Sequence, residues 1–547
     1  MNLIKGTLTS LFFASLLIIA CSSDVNLGPP PIASDVREIK IDLNQELQTM
    51  DGFGASDGWR AQFVGKNWPV EKRNAIADLL FSKEMDAAGN PKGIGLSMWR
   101  FYVGSGSMEQ GASSNIYDEW RRTECFQNPN GTYDWSKQAG QRWFLKAAKS
   151  RGVEKLMAFT VSPPVQMTIN GKAFSPQKNN MNIKPGLLPD YADFLVECID
   201  NLQRNEGVTF DYLSPVNEPQ WDWMAGSNGQ NSQEGTPATN QEMYDFTKLL
   251  SDKLKAKSLN TEIVLGEAAT INYLYENVNG ENRDDQINSF FGPSSANNIA
   301  QFPNVKKVIS GHSYFTVWPL NDMISYREKL SSKVKQIAGL KYWQTEYSIL
   351  ENPGIAEIPG GSGNKRDLGM KTALFVARTI HNDIAVANAS SWQWWTALSR
   401  YDYKDGLVYL DDGASNGVSG PIPDYCKNDG FYRDSKLLWA FGNFSLFVRP
   451  GAIRLQIPNQ NAASAATDVM LTAYKDVAKK KLIIVAVNYS DASRAYKLNL
   501  SGITLKNNVL TPYVTSEDSN LKKSANVNTT KFDIPARSIV TYVGEYN

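Results

Sequence analysis

Histidine is nearly absent from this chain: His312 and His381 are the only two in 547 residues. A metal-dependent hydrolase built on several imidazole ligands is therefore not expected, and no HxH-type cluster exists. Cysteine is almost as scarce, at 4. Without CxxC spacing there is no thiolate metal site or disulfide framework to read, and Cys125, Cys198 and Cys426 leave room for one pair. No GxGxxG or GxxxxGK[ST] follows a strand-like run, so a nucleotide-binding fold would lack its phosphate cradle. Charge of one sign is missing too. Lys+Arg 56 balance Asp+Glu 56, which favours no nucleic-acid or polyanion partner. Aromatic side chains, by contrast, are plentiful, with Trp 14 and Tyr 23. Such flat amphipathic groups stack on sugars as readily as they fill cores. The length allows a large core and more than one domain.

Residues 1–21 read as a targeting segment to be set apart from the fold. Lys5 supplies the positive charge, and Leu11 to Ala20 form an apolar run too short to span a bilayer. The run closes on Leu17-Ile-Ile-Ala-Cys21, which looks like a bacterial lipoprotein signal with Cys21 lipidated after cleavage; a plain secretory signal is the alternative. Export to the outer membrane, on its periplasmic side or the cell surface, is the expectation, with membrane contact only through the anchor. The Pro-rich residues 22–35 form a tether. Arg37-Glu-Ile-Lys-Ile-Asp-Leu alternates like a half-buried strand within residues 36–50.

From residue 51 to 435, strand and helix signals take turns. Strands are expected at Asp51–Ala55, Gly95–Arg100, Lys155–Thr160, Phe210–Val216, Glu262–Glu267, Val308–Tyr314, Lys341–Glu346 and Ser390–Trp394. Amphipathic stretches separate them at Glu71–Phe81, Gln138–Ser150, Tyr191–Asn205, Gln241–Lys257, Asp322–Ile337 and Arg366–Asn382. Near-continuous apolar strands alternating with helices indicate a parallel sheet covered on its outer face. Eight such units over about 350 residues fit an α/β fold, the (β/α)8 TIM barrel. Residues 436–547 change character, to short strands with turn residues between them, the pattern of an antiparallel β-sandwich side domain. The 37–48 segment supplies its missing strand, so both chain ends contribute to that domain.

In such barrels chemistry sits where the strands end. Strand two ends in Arg100, strand four in Asn217-Glu218-Pro219, six in His312 and Tyr314, seven in Glu346, and eight in Trp392, Trp394 and Trp395. Each alone has a bland explanation as a salt bridge, a satisfied core histidine or packing. Together, ionisable groups converging on one rim from several strands are costly to bury without a role. Two glutamates across a barrel mouth point to acid–base work on a glycosidic bond, with one carboxyl protonated and the other ionised.

The set Arg100, Asn217-Glu218-Pro219, His312-Ser-Tyr314, Glu346 and the Trp-rich eighth strand resembles the clan A retaining glycosidases. Three further stretches, Asp51-Gly-Phe-Gly-Ala55-Ser-Asp57, Ser162-Pro-Pro-Val-Gln-Met-Thr-Ile-Asn170-Gly171 and Ile534-Pro-Ala-Arg-Ser-Ile-Val-Thr-Tyr-Val, are similar to glycoside hydrolase family 30. That resemblance covers about residues 36–547 and implies a role for each matching position. Glu218 becomes the general acid/base and Glu346 the nucleophile. Asn217 holds the sugar 2-hydroxyl, Arg100 and Tyr314 steady the nucleophile, and Trp392 or Trp394 floors the sugar. Asp57 and Trp59 bind hydroxyls or stack, and His312 joins the substrate-binding set. Trp221, Trp223 and Trp318 are candidate stacking residues on loops. No cofactor is implied, the partner is a polysaccharide or oligosaccharide, and a monomer is expected. The resemblance is closest to the endo-β-1,6-galactanase-like branch, with β-1,6-glucan and xylan as other substrates and loops 104–134, 221–240 and 350–365 setting the choice. A surface glycan-binding lipoprotein without catalysis is the rival reading, yet it has no need for both glutamates.

Overall fold

A computed structural model describes residues 36–351, 354–413 and 424–547. Cys21 and the 22–35 tether lie outside the described residues, as does part of the 350–365 loop. Eight parallel strands close into a barrel: β1 (Gly52–Ser56), β2 (Met98–Tyr102), β3 (Lys155–Phe159), β4 (Tyr212–Ser214), β5 (Glu262–Ala268), β6 (Val305–His312), β7 (Lys341–Glu346) and β8 (Ala389–Trp394). β8 returns to pair with β1, with Trp392 opposite Phe53. Almost every strand residue is buried, because the barrel interior is a packed core and the outer face is covered by helices. Met98, Met157, Tyr212, Val264, Val308 and Trp343 form one inner layer. Further along the strands, towards the mouth, Arg100, His312 and Glu346 are among the buried polar side chains.

The expected helices are present, among them Ala139–Ser150, Leu188–Glu206, Asn240–Ala256, Leu320–Lys335 and Met370–Ala385. Asn240–Ala256 starts on a capping box, the Thr239 hydroxyl and the Glu242 carboxylate satisfying each other's backbone N–H. A three-stranded sheet of Leu398–Ser399, Val408–Asp411 and Phe431–Arg433 follows β8. It was not expected, since strands this short carry little periodicity.

Both chain ends build the side domain. Arg37–Asp42 runs parallel to Arg494–Ser501 in a small sheet, while Glu46–Thr49 edges a large antiparallel sheet against Ile453–Leu455. The single N-terminal strand expected from the alternation is therefore two strands serving two sheets. Helix Lys436–Ser445 joins barrel and sandwich: Phe441 packs on Phe53 and Trp392, and the Asn443 amide donates to the Tyr513 carbonyl and Thr541 hydroxyl, each at 3.0 Å. Cys125, Cys198 and Cys426 are free and buried, so the one pair the sequence left room for is not formed. Among the described residues no helix is long and apolar enough to cross a membrane.

Candidate active site

The mouth encloses a cleft of about 680 Å³ open to solvent. Glu218 and Glu346 both line it. One carboxylate oxygen of each, with a His312 ring nitrogen, lies within a 4.8 Å span. Each glutamate is held differently. Glu346 receives the Arg100 Nη1 on one oxygen and the Tyr314 hydroxyl, at 3.3 Å, on the other. Glu218 Oε1 faces His312 Nδ1 at 2.9 Å. Burial raises the Glu218 carboxyl above its ordinary range, against the opposing pull of His312. Burial also keeps the Tyr314 hydroxyl well above its usual pKa, so it remains a donor.

Beneath these two sits a third carboxylate, fully buried, that sequence reading missed. Glu267 Oε2 accepts from Arg100 Nη2 at 3.0 Å and Thr345 Oγ1 at 3.1 Å, and faces His312 Nε2 at 2.9 Å. Burial raises its pKa, but Arg100 and His312 outweigh burial and leave it lowered. His312 thus lies between Glu218 and Glu267. Burial would lower it, yet the surrounding carboxylates lift it to about 9, so it is cationic at neutral pH. Arg100 and His312 thus face three carboxyl groups, Glu218, Glu267 and Glu346.

Two bulges produce this convergence. On β5 the register to β6 passes from Gly266–Ser310 to Ala268–Gly311, leaving Glu267 as the extra residue with φ +53°. Strict alternation would put Glu267 on the outer face with Ile263 and Leu265; the bulge turns it inward. Gly266 permits the close approach, because a Cβ there would stand 2.3 Å from the Ser310 carbonyl oxygen. The second bulge, between β6 and β7, leaves Thr345 extra and sets His312 opposite Glu346. Glu218 itself has φ +46°, its N–H donating to the Glu267 carbonyl at 2.9 Å and its carbonyl accepting from the Trp223 indole at 3.1 Å. Strained backbone of this kind at two carboxylates marks a functional site.

The other expected site residues fall into two groups. Asn217 lines the cleft; its Oδ1 accepts from Arg100 Nη2 at 3.1 Å, and its amide nitrogen has no partner among the described residues. Tyr314, Trp59, Trp221 and Trp223 also line it. Arg100 and His312 do not reach the cleft and act on the carboxylates. Asp57 is buried behind the rim, accepting from the Tyr102 N–H and Gln141, and does not line the cleft. Trp318 packs against the barrel core instead of the cleft.

Strand eight requires a further correction. Trp392 and Trp394, two residues apart, share the outer face: Trp392 donates to Asp383 at 2.8 Å and packs on Phe441, and Trp394 donates to the Asp405 carbonyl at 2.8 Å. Trp395, one position on, turns the other way and joins Trp59 and Phe159 in the wall of the cleft. Its ring stands edge-on to Trp59 at 5.0 Å. We expect Trp395→Ala to raise KM roughly 10- to 100-fold, the loss of one aromatic wall. Trp392→Phe should instead lower the melting temperature and leave KM near wild type. Equal effects on KM would contradict this assignment.

Two of the loops flanking the cleft are pinned together. Glu234, in the 221–240 loop, accepts from Ser107 Oγ at 2.5 Å, Thr123 Oγ1 at 2.8 Å and the Tyr102 hydroxyl. Glu351, in the third loop, also lines the cleft and accepts from the Phe315 N–H; burial lifts it to about 7.

A closed parallel barrel with paired carboxylates between aromatic walls at its mouth is the architecture of a sugar-cleaving hydrolase. The profile of O-glycosyl hydrolase family 30 matches residues 36–409. An endo-beta-1,6-galactanase of Hypocrea rufa is 22% identical over 474 residues, 83% of this chain and 81% of that protein. The crystal structure of a conserved exported protein from Bacteroides fragilis superposes with a TM-score of 0.85 at 35% identity, covering 93% of this chain and 100% of that one. The catalytic domain of xylanase C from Talaromyces cellulolyticus shares the fold, with TM-score 0.64, 22% identity and coverage of 93% and 100%. The chain belongs to O-glycosyl hydrolase family 30 and is a glycoside hydrolase.

Proposed function

We propose that this enzyme cleaves β-linked polysaccharide, with β-1,6-galactan as the first candidate, by a double displacement that retains anomeric configuration. The observation that carries the mechanism is the approach of Glu218 and Glu346 to within 4.8 Å. Retaining enzymes hold their carboxyls about 5–5.5 Å apart, whereas inverting ones leave about 6.5–9.5 Å for a water. In the first step Glu346 attacks the anomeric carbon while Glu218 gives its proton to the departing oxygen. The glycosidic C–O bond breaks and a glycosyl ester of Glu346 forms. In the second, the Glu218 carboxylate takes a proton from water, whose oxygen displaces Glu346 and restores both side chains. The Asn217 amide, which has no partner among the described residues, would donate to the sugar 2-hydroxyl, a contact that tightens in the transition state.

Galactan is favoured by the Hypocrea rufa relative's activity and by the aromatic walls. The axial 4-hydroxyl of galactose leaves one face of C–H groups that stacks on indole. A panel of β-1,6-galactan, β-1,6-glucan and xylan with product sizing tests this: short galactooligosaccharides are expected early, and release of glucose or xylose products alone would replace the substrate. The leader ending in Cys21 supports an exported, lipid-anchored enzyme, and the similarity to a protein described as exported supports the export alone. In the same assay, Cys21→Ser should move activity from the membrane fraction to the soluble one; unchanged partitioning would remove the anchor.

A further inference from the structure

At the end of the barrel away from the mouth, a recess of about 760 Å³ opens between helix Met370–Ala385 and strand Ile453–Leu455. Its position is fixed by Gln48, whose amide donates to the carbonyl of Ala389, the first residue of β8, at 3.2 Å. Two groups unused by the catalytic site meet in its wall, Arg454 and His381. Arg454 is only 8% exposed. Its Nε donates to Gln48 Oε1 and its Nη2 to Asn388 Oδ1, both at 2.7 Å. Those acceptors are neutral, and among the described residues no carboxylate pairs with the guanidinium and no acceptor serves Nη1. His381, 4% exposed, has no hydrogen-bond partner among the described residues. Burial and the adjacent Arg454 charge hold its imidazole neutral, down at about 3, and burial draws Arg454 down to about 10.

A cation removed from water costs several kcal/mol unless paired. Packed interiors close over such space, and here the space stays open beside the cation. An incoming oxyanion would take a charge-assisted bond from Arg454 Nη1 and a second from the N–H of the neutral His381 ring. The rest of the wall mixes apolar Leu47, Val386 and Leu471 with polar Gln456, Gln460 and Thr472. We propose that this recess is a second ligand site that takes an oxyanion between Arg454 and His381, either the carboxylate of a uronic acid sugar or a free phosphate. It lies apart from the catalytic carboxylates and stands whether or not galactan is the substrate.

The chain's two histidines make the test direct. Full-length protein labelled with ring 13C,15N-histidine is titrated with glucuronate, inorganic phosphate and, as neutral control, galactose; the His381→Gln variant assigns the signals. Saturable shifts of the His381 resonances are expected with an oxyanion, with Kd around 1 mM or tighter, while galactose leaves them in place. Binding should persist in Glu346→Ala and weaken at least tenfold in Arg454→Gln. Glucuronate binding over tenfold tighter than phosphate identifies a sugar acid; similar affinities identify a free oxyanion. The proposal is overturned if neither anion moves His381, if galactose moves it equally, or if a folded Arg454→Gln binds as wild type. Should Arg454→Gln fail to fold, calorimetry on His381→Gln, checked for retained turnover, replaces it: unchanged anion affinity there overturns the site.

Discussion

Glu346→Ala is expected to lower turnover by about 10^5-fold, roughly 7 kcal/mol of barrier, while binding of intact oligosaccharide changes little. The reason is geometric. Arg100 and Tyr314 grip this carboxylate from two sides, so it is held and aimed, and alanine leaves nothing to form the glycosyl ester. Added azide fits the vacated volume and should attack from the same side, giving an α-glycosyl azide from a β-substrate. Glu218→Ala behaves differently. With an activated aryl glycoside the first step survives, the ester accumulates, and azide then yields the β-glycosyl azide. Product anomers read by NMR separate the two roles. Identical anomers from both variants, or near-normal turnover in either on a polysaccharide, would sink the double-displacement assignment.

The second large effect is expected at a residue that never touches sugar. Glu267 stands between Arg100 and His312, and removing one partner from a buried ionic cluster typically costs about 3–5 kcal/mol. Glu267→Ala should therefore unfold at distinctly lower temperature. Glu267→Gln keeps the shape and removes the charge, and kcat should fall about 10^2- to 10^3-fold, in line with the loss of one oriented electrostatic group. A pH profile distinguishes positioning from mere packing. His312 is raised to about 9 against the opposing effect of burial. A raised histidine contributes stability that is complete below its unfolded pKa near 6.5 and is lost as pH rises through about 9. Without the Glu267 charge, His312 loses one of the carboxylates that raise it and releases its proton at lower pH; its opposing pull on Glu218 then fades, and the alkaline limb of kcat/KM, set by the general acid, should move up. An unmoved limb would reduce Glu267 to a structural role.

Much of this site was legible one residue at a time. The eight strands announce themselves because barrel strands are buried on both faces and read as apolar runs bounded by helices. Asn217-Glu218-Pro219 and Glu346 stand where such strands end, the position that exposes a side chain at the mouth. Residues whose orientation depends on register were harder to place. Trp392 and Trp394 differ from Trp395 only in parity, and a one-residue count decides between outer packing and the cleft wall. Glu267 sat at the end of its strand in plain view, with the glycine before it as the single local clue. Strict alternation nevertheless points it to the outer face.

The sequence by itself determined the barrel, its side domain built from both chain ends, and the pair of glutamates, because burial pattern and strand-end position are local properties of the chain. The tertiary structure decided which third carboxylate lies beneath that pair, which tryptophan lines the cleft, and that an arginine with no carboxylate partner among the described residues borders an open recess at the far end. Those outcomes follow from bulges, register and charge neighbours contributed by segments hundreds of residues apart, and no local pattern encodes such meetings.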